Sequence, residues 1–180
     1  MNCRVCQRKS SLIIDLGTMP IANGFVKELS KDIYRFNLTA YFCENCYLVQ
    51  LGDQPSPNLM FHSEYTFFTG LSTHMASHFK DMAISNLPNQ YDSSFLVSEI
   101  GCNDGTLLET IVELGINHVG VDPSQNVVQI ARDKGVNAEV AFFSEETANR
   151  LVRKYSRADL ILAANVICHI PDMNDFVRGI

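Results

Sequence analysis

Four of the six cysteines are spaced like ligands of a single metal ion. Cys3 and Cys6 form one Cys-x-x-Cys pair, Cys43 and Cys46 form a second, and 36 residues separate the pairs. A two-residue spacer lets a tight turn direct both thiolates at one ion, and two such turns make a tetrahedral sulfur site. The pattern predicts structural zinc, with iron in the same geometry as the alternative. Because four protein sulfurs leave no open coordination position, we expect a folding role and no catalysis.

The segment EIGCNDGT, residues 99–106, predicts a cofactor loop, because it follows a strand pattern and opens a helix pattern. The dinucleotide fingerprint is incomplete, since Asn103 and Thr106 stand where it requires glycine. The loop instead resembles the acid–glycine loop of S-adenosylmethionine methyltransferases, and Glu99 and Asp104 would suit that cationic cofactor. The candidate cofactor-binding residues of the loop are Glu99, Gly101, Asn103, Asp104 and Gly105.

Two later loops extend this candidate site. Asp122 ends the second predicted strand, where an acid commonly holds both ribose hydroxyls, and Pro123 and Ser124 follow it directly. Asn165 and His169 lie in the loop after the fourth predicted strand. Because the carboxyl ends of parallel strands face the ligand crevice, we expect His169 to lie near the transferred group as a catalytic residue. The alternative for His169 is an ordinary core histidine.

Three regions of the chain are predicted to position these residues. Residues 1–57 form the metal module, with strands at 12–16 and 34–42, and residues 58–92 form a helical connector that contributes to the cofactor pocket. Residues 93–180 alternate strands with helices, which predicts an α/β fold with a parallel sheet and right-handed crossovers. The predicted strands of this last region are 95–100, 119–122, 138–142 and 159–164, and its helices are 106–114, 124–134, 144–155 and one beginning at 172.

Two local details complete these expectations. Thr106 and Glu109 are predicted to form a capping box at the start of the first helix of that region. Cys102 and Cys168 each lie in an apolar stretch, where a thiol is predicted to be a small buried side chain.

The composition excludes several classes of protein. The 180 residues are 46% hydrophobic and 19% charged, which excludes a disordered chain, a collagen-like chain and a coiled coil. A formal charge of -6 argues against nucleic-acid binding through phosphate contacts. No apolar run approaches the roughly 20 residues that span a bilayer, and the N-terminus carries no apolar targeting segment. We therefore expect a cytoplasmic protein without a membrane partner, with its thiols reduced.

Together these motifs resemble the sugar C-methyltransferase family of deoxysugar biosynthesis, of the tetronitrose C-3 methyltransferase type. The matching segments are 3–6, 17–23, 43–51, 99–108, 120–124 and 165–170. The resemblance implies a small four-cysteine zinc-binding β module before a Rossmann-like class I methyltransferase sheet with partial strand order 3-2-1-4. It further implies a C-terminal domain that helps to bind the sugar nucleotide. The chain stops before that domain and before strands five to seven, so we expect a truncated form.

The family's reaction is methylation of a ring carbon next to the ketone of a nucleotide-linked keto-deoxysugar, by way of an enolate. The resemblance implies S-adenosylmethionine and zinc as cofactors. It also implies a role for His169 in proton handling, a match of Tyr65 to an active-site tyrosine, and a principal base in a segment absent here.

Several alternatives stay open. One is a zinc-containing methyltransferase that acts on oxygen or nitrogen of another small metabolite, and another is a non-catalytic zinc-ribbon module. The lack of an Asn-Pro-Pro-Tyr element after the fourth strand counts against methylation of nucleobase or amide nitrogen. An open sheet edge at that strand predicts poor solubility or self-association.

Overall fold

A computed structural model describes residues 1–22, 24, 26, 28 and 33–180. Asn23, which belongs to one of the matching segments, lies outside the described residues. The chain divides into two compact units. Unit 1 comprises Met1–Phe61 with His169–Asn174, and unit 2 comprises His62–Cys168 with Asp175–Ile180. The predicted region boundaries after residues 57 and 92 stay predictions.

Unit 1 is built on an antiparallel sheet of three strands in the order β1-β2-β3. The strands are β1 (Ser11–Pro20), β2 (Arg35–Phe42) and β3 (Val49–Leu51), followed by the one-turn helix α1 (Pro57–Met60). The two strands predicted between the cysteine pairs are confirmed, and they pair with Ser11 opposite Phe42. The sequence did not predict β3 or α1, because three or four residues are too few to show a period.

Unit 1 has little apolar core. Apart from Pro55, the only buried hydrophobic side chains among its described residues are those of Cys3 and Cys43. Leu12 and Ile14 of β1 are 54% and 47% exposed. The centre of this unit is therefore its cysteine cluster, and apolar packing contributes little to it.

Unit 2 contains a parallel sheet with the order β6-β5-β4-β7. Its strands are β4 (Leu96–Ile100), β5 (Asn117–Asp122), β6 (Ala138–Val140) and β7 (Leu160–Leu162). Numbered within the unit, this order is 3-2-1-4, and it confirms the predicted α/β class. All five residues of β4 are buried, as expected for a central parallel strand covered on both faces.

Helices and short 3-10 turns lie before, between and after these strands in the chain. The helices are α2 (Thr73–Asn86), α3 (Thr106–Glu113), α4 (Gln125–Asp133), α5 (Glu145–Lys154) and α6 (Met173–Gly179), and the turns are Thr69–Leu71 and Ile167–His169. The main core joins α2 and α3 to β4, with Phe79, Leu108 and Val97 among its buried side chains. No helix in the described part of the chain is long and apolar enough to cross a bilayer.

Three local features bear on the predictions, the first being the start of the helix predicted at 144–155. Ser144 caps α5 by accepting a hydrogen bond from the Thr147 amide, with acidic residues in the first turn. The capping box at Thr106 is wrong, because Gly105 is the N-cap of α3 in a left-handed conformation. Among the remaining cysteines, Cys102 is buried as predicted, whereas Cys168 is exposed.

Candidate functional site

The four cysteines of the two pairs converge in unit 1. Their Sγ atoms all lie within 4.8 Å of one another. The Sγ atoms of Cys3 and Cys46 are 3.6 Å apart, and those of Cys6 and Cys43 are 3.5 Å apart. A zinc–sulfur bond of about 2.3 Å in a tetrahedron places its sulfurs about 3.8 Å apart, so the cluster has the size of a zinc site. Disulfide bonds, at about 2.05 Å, do not fit these separations.

The two cysteine pairs adopt the same turn. The amide of Gln7 donates to the Cys3 carbonyl at 3.0 Å, and the amide of Tyr47 donates to the Cys43 carbonyl at 2.7 Å. Gln7 and Tyr47 both have a left-handed backbone, with φ of 62° and 61°. The cluster is thus formed by two copies of one turn. All four donors are sulfurs, so the site suits a structural ion.

Gln50 of β3 stabilises the first cysteine turn through two hydrogen bonds. The sequence did not predict this contact. Its side-chain oxygen accepts from the Arg4 amide at 2.9 Å, and its side-chain nitrogen donates to the Asn2 carbonyl at 3.2 Å. The residue is 7% exposed. A polar residue within a short apolar segment was the available signal, but only the fold shows what it contacts.

The cofactor loop joins β4 to α3 at the carboxyl end of the sheet. Gly101, Asn103 and Gly105 all have left-handed backbones, with φ of 72°, 49° and 74°. Only glycine adopts this region freely, and asparagine tolerates it better than most residues. The Gly101 amide donates to the Val121 carbonyl at 2.7 Å, which ties the loop to β5.

Three acidic side chains are buried around this loop. Glu99 is 5% exposed, Asp104 is 3% exposed and Asp122 is 8% exposed. Burial, together with the nearby charges of Asp122 and Asp104, raises the pKa of Glu99 well above its usual value. One carboxylate oxygen of Glu99 is buried without a hydrogen-bond partner among the described residues. A cation placed here would balance the negative charge, which matches the cationic groups of S-adenosylmethionine.

Asp122 is oriented by backbone groups on both sides. One carboxylate oxygen accepts from the Ser124 amide at 2.8 Å, and the other accepts from the Asn103 amide at 3.1 Å. Burial raises the pKa of Asp122, and these hydrogen bonds oppose the increase. Ser124 is fully buried at the N-cap of α4, and Pro123 before it is half-buried.

Other groups come close to the loop. A Cβ on Gly101 would lie 2.3 Å from Cγ2 of Val166, so this glycine has no room for a side chain. Asn165, beside Val166, is exposed and has a left-handed backbone with φ of 56°. Tyr65 is half-buried, and burial and the charge of Asp122 raise the pKa of its hydroxyl.

The side chains of Asn103 and Asp104 are engaged by the segment before α2. Asn103 accepts from the Thr69 amide and donates to the Phe67 carbonyl, both at 3.1 Å. Asp104 accepts from the Gly70 amide at 2.9 Å and from the Thr106 hydroxyl at 2.6 Å. Cofactor contact by these two side chains stays a prediction. Nothing in the sequence pattern indicated the partners that the structure gives them.

His169, the other predicted catalytic residue, belongs to unit 1. It ends a 3-10 turn, is exposed, and places its ring centroid 5.6 Å from that of Phe61 in an edge-on arrangement. The core-histidine alternative does not fit an exposed side chain. Unit 2 brings together Tyr65, Glu99 and Asp122, whereas His169 is held in the other unit.

Comparison with known families matches the two halves of the chain separately. Residues 3–61 match a family described as "Putative zinc binding domain", and residues 98–180 match a family described as "Methyltransferase domain". The first match contains all four clustered cysteines, and the second contains the whole cofactor loop.

Two curated relatives show how far the likeness extends. The chain is 26% identical over 184 aligned residues to C-methyltransferase NovU of Streptomyces niveus, covering 99% of this chain and 43% of the relative. It is 33% identical over 81 residues to a ubiquinone biosynthesis O-methyltransferase of Methylobacterium sp. strain 4-46, covering 44% of this chain and 32% of the relative. The chain thus spans less than half the length of these relatives.

Among solved structures, an S-adenosylmethionine-dependent methyltransferase of Thermotoga maritima, described as a possible histamine N-methyltransferase, is 21% identical. The alignment covers 58% of this chain and 44% of that chain, with a TM-score of 0.38, which is too low to add to the assignment.

The matched domains confirm the predicted cofactors. A methyltransferase domain implies S-adenosylmethionine, and the zinc-binding family together with the four-sulfur cluster supports zinc. The chain thus joins a region that matches a zinc-binding family to a region that matches a methyltransferase family, a combination that fits the S-adenosylmethionine-dependent sugar C-methyltransferase family.

Proposed function

We propose that the protein transfers a methyl group from S-adenosylmethionine to a ring carbon next to the ketone of a nucleotide-linked keto-deoxysugar. The observation that carries this proposal is the presence in one chain of a four-cysteine module and an acid–glycine cofactor loop. A relative whose alignment spans both parts, over 99% of the chain, is a C-methyltransferase. The O-methyltransferase relative aligns with only 44% of it.

The proposed cofactor site uses the residues around the loop of unit 2. Bound S-adenosylmethionine supplies an electrophilic methyl group. Glu99 balances the positive charge of the cofactor with its unpartnered carboxylate oxygen, and Asp122 accepts hydrogen bonds from ribose hydroxyls. Gly101 and Gly105 let the backbone approach the ligand. The further residues proposed to line this site are Pro123, Ser124 and Asn165.

The proposed division of labour follows the three predicted regions. Residues 1–57 hold zinc, residues 58–92 connect and contribute Tyr65 to the pocket, and residues 93–180 hold the cofactor. The zinc site has a structural role, because its four donors come from the protein. A reducing compartment keeps these thiols available to the metal, which supports a cytoplasmic location.

Carbon methylation requires the loss of a ring proton. When a base removes the proton next to the ketone, the C–H electron pair moves to form an enolate, and charge develops on the ketone oxygen. The Tyr65 hydroxyl, with its raised pKa, stays protonated at neutral pH and can donate a hydrogen bond to such an oxygen. We propose that His169 takes part in moving the proton.

Isotope labelling tests the position of methylation. The protein is incubated with S-adenosylmethionine and a nucleotide-linked keto-deoxysugar that carries deuterium on the carbons next to the ketone. Any methylated sugar that forms should have lost a deuterium in mass spectrometry, because the new carbon–carbon bond replaces a C–D bond. A methylated product that keeps every deuterium would show methylation on oxygen or nitrogen.

Methylation of oxygen in another small metabolite is the second candidate. It is favoured by the higher identity, 33%, to the ubiquinone biosynthesis O-methyltransferase across the aligned region. The labelling experiment separates the two candidates, because an oxygen acceptor loses only an exchangeable proton.

A further inference from the structure

Residues 65–70, here called the strap, run along the loops at the carboxyl end of the parallel sheet. At one end, the Tyr65 carbonyl accepts a hydrogen bond of 2.7 Å from the Asn126 side chain at the start of α4. At the other end, the Gly70 amide donates to Asp104, just before α3. The strap therefore bridges the N-termini of two helices, and Asp122, the last residue of β5, lies just before the second of them.

At Gly70, the backbone of the strap lies so close to the cofactor loop that a side chain would not fit between them. A Cβ on Gly70 would lie 2.9 Å from the Thr106 hydroxyl oxygen and 3.0 Å from a carboxylate oxygen of Asp104. Thr69 is 9% exposed, so its amide is shielded from water where it meets Asn103. Three hydrogen bonds join Phe67, Thr69 and Gly70 of the strap to the side chains of Asn103 and Asp104, which is more than chance proximity explains.

We propose that Asn103 and Asp104 are positioning residues that fasten the strap over the cofactor loop, and that they act on the cofactor only through the strap. This inference rests on the proposed function of the loop as a cofactor site. Asn103 uses both ends of its amide for the strap, and Asp104 divides its oxygens between the strap and Thr106. A fastened strap holds Tyr65 beside Asp122 and slows release of a bound cofactor.

The left-handed conformation of Asn103 allows a sharp test. If Asn103 served only as a turn residue at φ 49°, glycine would replace it without loss, because glycine adopts this region freely. If its side chain fastens the strap, Asn103→Gly keeps the turn and removes two hydrogen bonds. The variant thus separates backbone conformation from side-chain contact.

Asp104 offers the complementary test. In Asp104→Asn, the remaining oxygen can accept from the Gly70 amide while the new NH₂ group donates to the Thr106 hydroxyl, so the fastening is kept and the charge is lost. Asp104→Ala removes both. If Asp104 bound a cationic cofactor directly, loss of its charge in the asparagine variant would weaken binding about as much as the alanine variant does.

The experiment combines amide exchange with ligand release. Exchange at the Thr69 and Gly70 amides is measured by NMR without ligand, and the dissociation rate of S-adenosylhomocysteine is measured by stopped flow. The control is Lys80→Ala on the surface of α2, which removes an exposed ion pair with Glu113 of 3.6 Å. Thermal melting shows whether each variant is folded, and Gly70→Ala perturbs the same contact from the strap side if a loop variant fails to fold.

We expect Asn103→Gly, Asp104→Ala and Gly70→Ala to exchange these amides about tenfold faster and to release S-adenosylhomocysteine about tenfold faster. Lys80→Ala should behave like the native chain, and Asp104→Asn should exchange these amides and release the ligand more slowly than Asp104→Ala does.

Unchanged exchange in Asn103→Gly would overturn the fastening. Faster exchange with unchanged ligand release would overturn the positioning role. Equal loss of affinity in Asp104→Asn and Asp104→Ala would make Asp104 a direct cofactor ligand and also overturn the proposal. If the native chain binds no S-adenosylhomocysteine, the proposed function fails, and exchange of the two amides still decides whether the strap is fastened.

Discussion

Glu99 lowers the stability of the folded protein and favours ligand binding at the proposed site. Its carboxyl is buried at the end of β4 near two other acids, and one oxygen has no partner in the described structure. Burial and the like charges raise its pKa well above 4.5 in the folded state. Ionised Glu99 therefore destabilises the ligand-free protein, while it supplies the negative charge that a cationic ligand needs.

The pH dependence of stability follows from this raised pKa. Between the unfolded pKa near 4.5 and the higher folded pKa, the folded state binds more protons, so Glu99 lowers the free energy of unfolding as pH rises through this window. Glu99→Gln removes this dependence, and we expect the variant to be more stable than the native chain at neutral pH. Denaturant unfolding from pH 4.5 to 8 measures the difference, and an equal or lower stability of the variant at pH 7.5 would contradict it.

The sequence predicted the acids of the cofactor site but not all of their partners. Glu99 and Asp104 were selected because their loop resembles that of S-adenosylmethionine methyltransferases, and Asp122 because an acid at the end of the second strand commonly holds ribose hydroxyls; all three are buried. The contacts of Asn103 and Asp104 with the strap join residues 34 to 36 positions apart, through backbone groups that carry no sequence signal. Such contacts exist only once the fold has brought the segments together.

At the scale of elements, the loop between β4 and α3 depends on a glycine that has no space for a side chain. Gly101→Ala places a methyl group against Val166 and also strains a left-handed backbone. We expect about 1–2 kcal/mol of destabilisation from the backbone, together with weaker binding of S-adenosylhomocysteine in calorimetry.

Gly115→Ala is a matched control for that variant. Gly115 has a φ of 68°, close to the 72° of Gly101, but a Cβ there would meet nothing within 4 Å. Its variant should lose similar stability and keep its ligand affinity. If both alanine variants bound S-adenosylhomocysteine equally well, the close contact of Gly101 with Val166 would not matter for cofactor binding.

The cysteine module depends on its metal because it has little else at its centre. Among the described residues, the buried apolar clusters lie in unit 2, whereas the buried hydrophobic side chains of unit 1 are those of Pro55, Cys3 and Cys43. We expect a strong zinc chelator to remove hydrogen-exchange protection from β1 and β2, and to leave β4 and α3 protected. Exchange measured by mass spectrometry on both sets of peptides tests this, and unchanged protection of β1 and β2 after metal loss would contradict it.

Long elements could be predicted from the sequence, and short ones could not. Most strands and helices could be predicted from the alternation of apolar and polar residues in 35–42 and from the strand–helix pattern after residue 94. Each of these elements is long enough for its apolar period to repeat several times. β3 and β7 have three residues each. β3 was missed, and β7 is shorter than the six residues predicted for it. The capping box at Thr106 failed because Gly105 is the N-cap, so Thr106 is already the first residue of α3 and its hydroxyl donates to Asp104.

At the scale of the whole molecule, the strand order could be predicted and the division into units could not. Right-handed crossovers and the family resemblance led to the order 3-2-1-4, which the sheet shows. Residues 169–174 belong to unit 1 although they follow the sheet of unit 2 in sequence, and the Asn174 side chain donates to the Val5 carbonyl at 3.1 Å. No local sequence pattern indicates that residues 169–174 return to unit 1.

The sheet of unit 2 ends at β7 in the described part of the chain, and its outer side has no strand partner there. An unpaired edge of apolar residues is a surface on which chains associate. We expect the average mass in sedimentation equilibrium to rise with protein concentration. A single monomeric species up to the highest soluble concentration would contradict the prediction.

The most direct test of the cofactor site is calorimetric titration of the native chain with S-adenosylhomocysteine, with Glu99→Gln as the comparison. Because a hydrogen bond to a charged group contributes more than a neutral one, we expect saturable binding at one site per chain and roughly tenfold weaker binding by the variant at pH 7.5. No saturable heat with the native chain, or equal affinities for the two proteins, would contradict the assignment of the buried acids to a methyl-donor site.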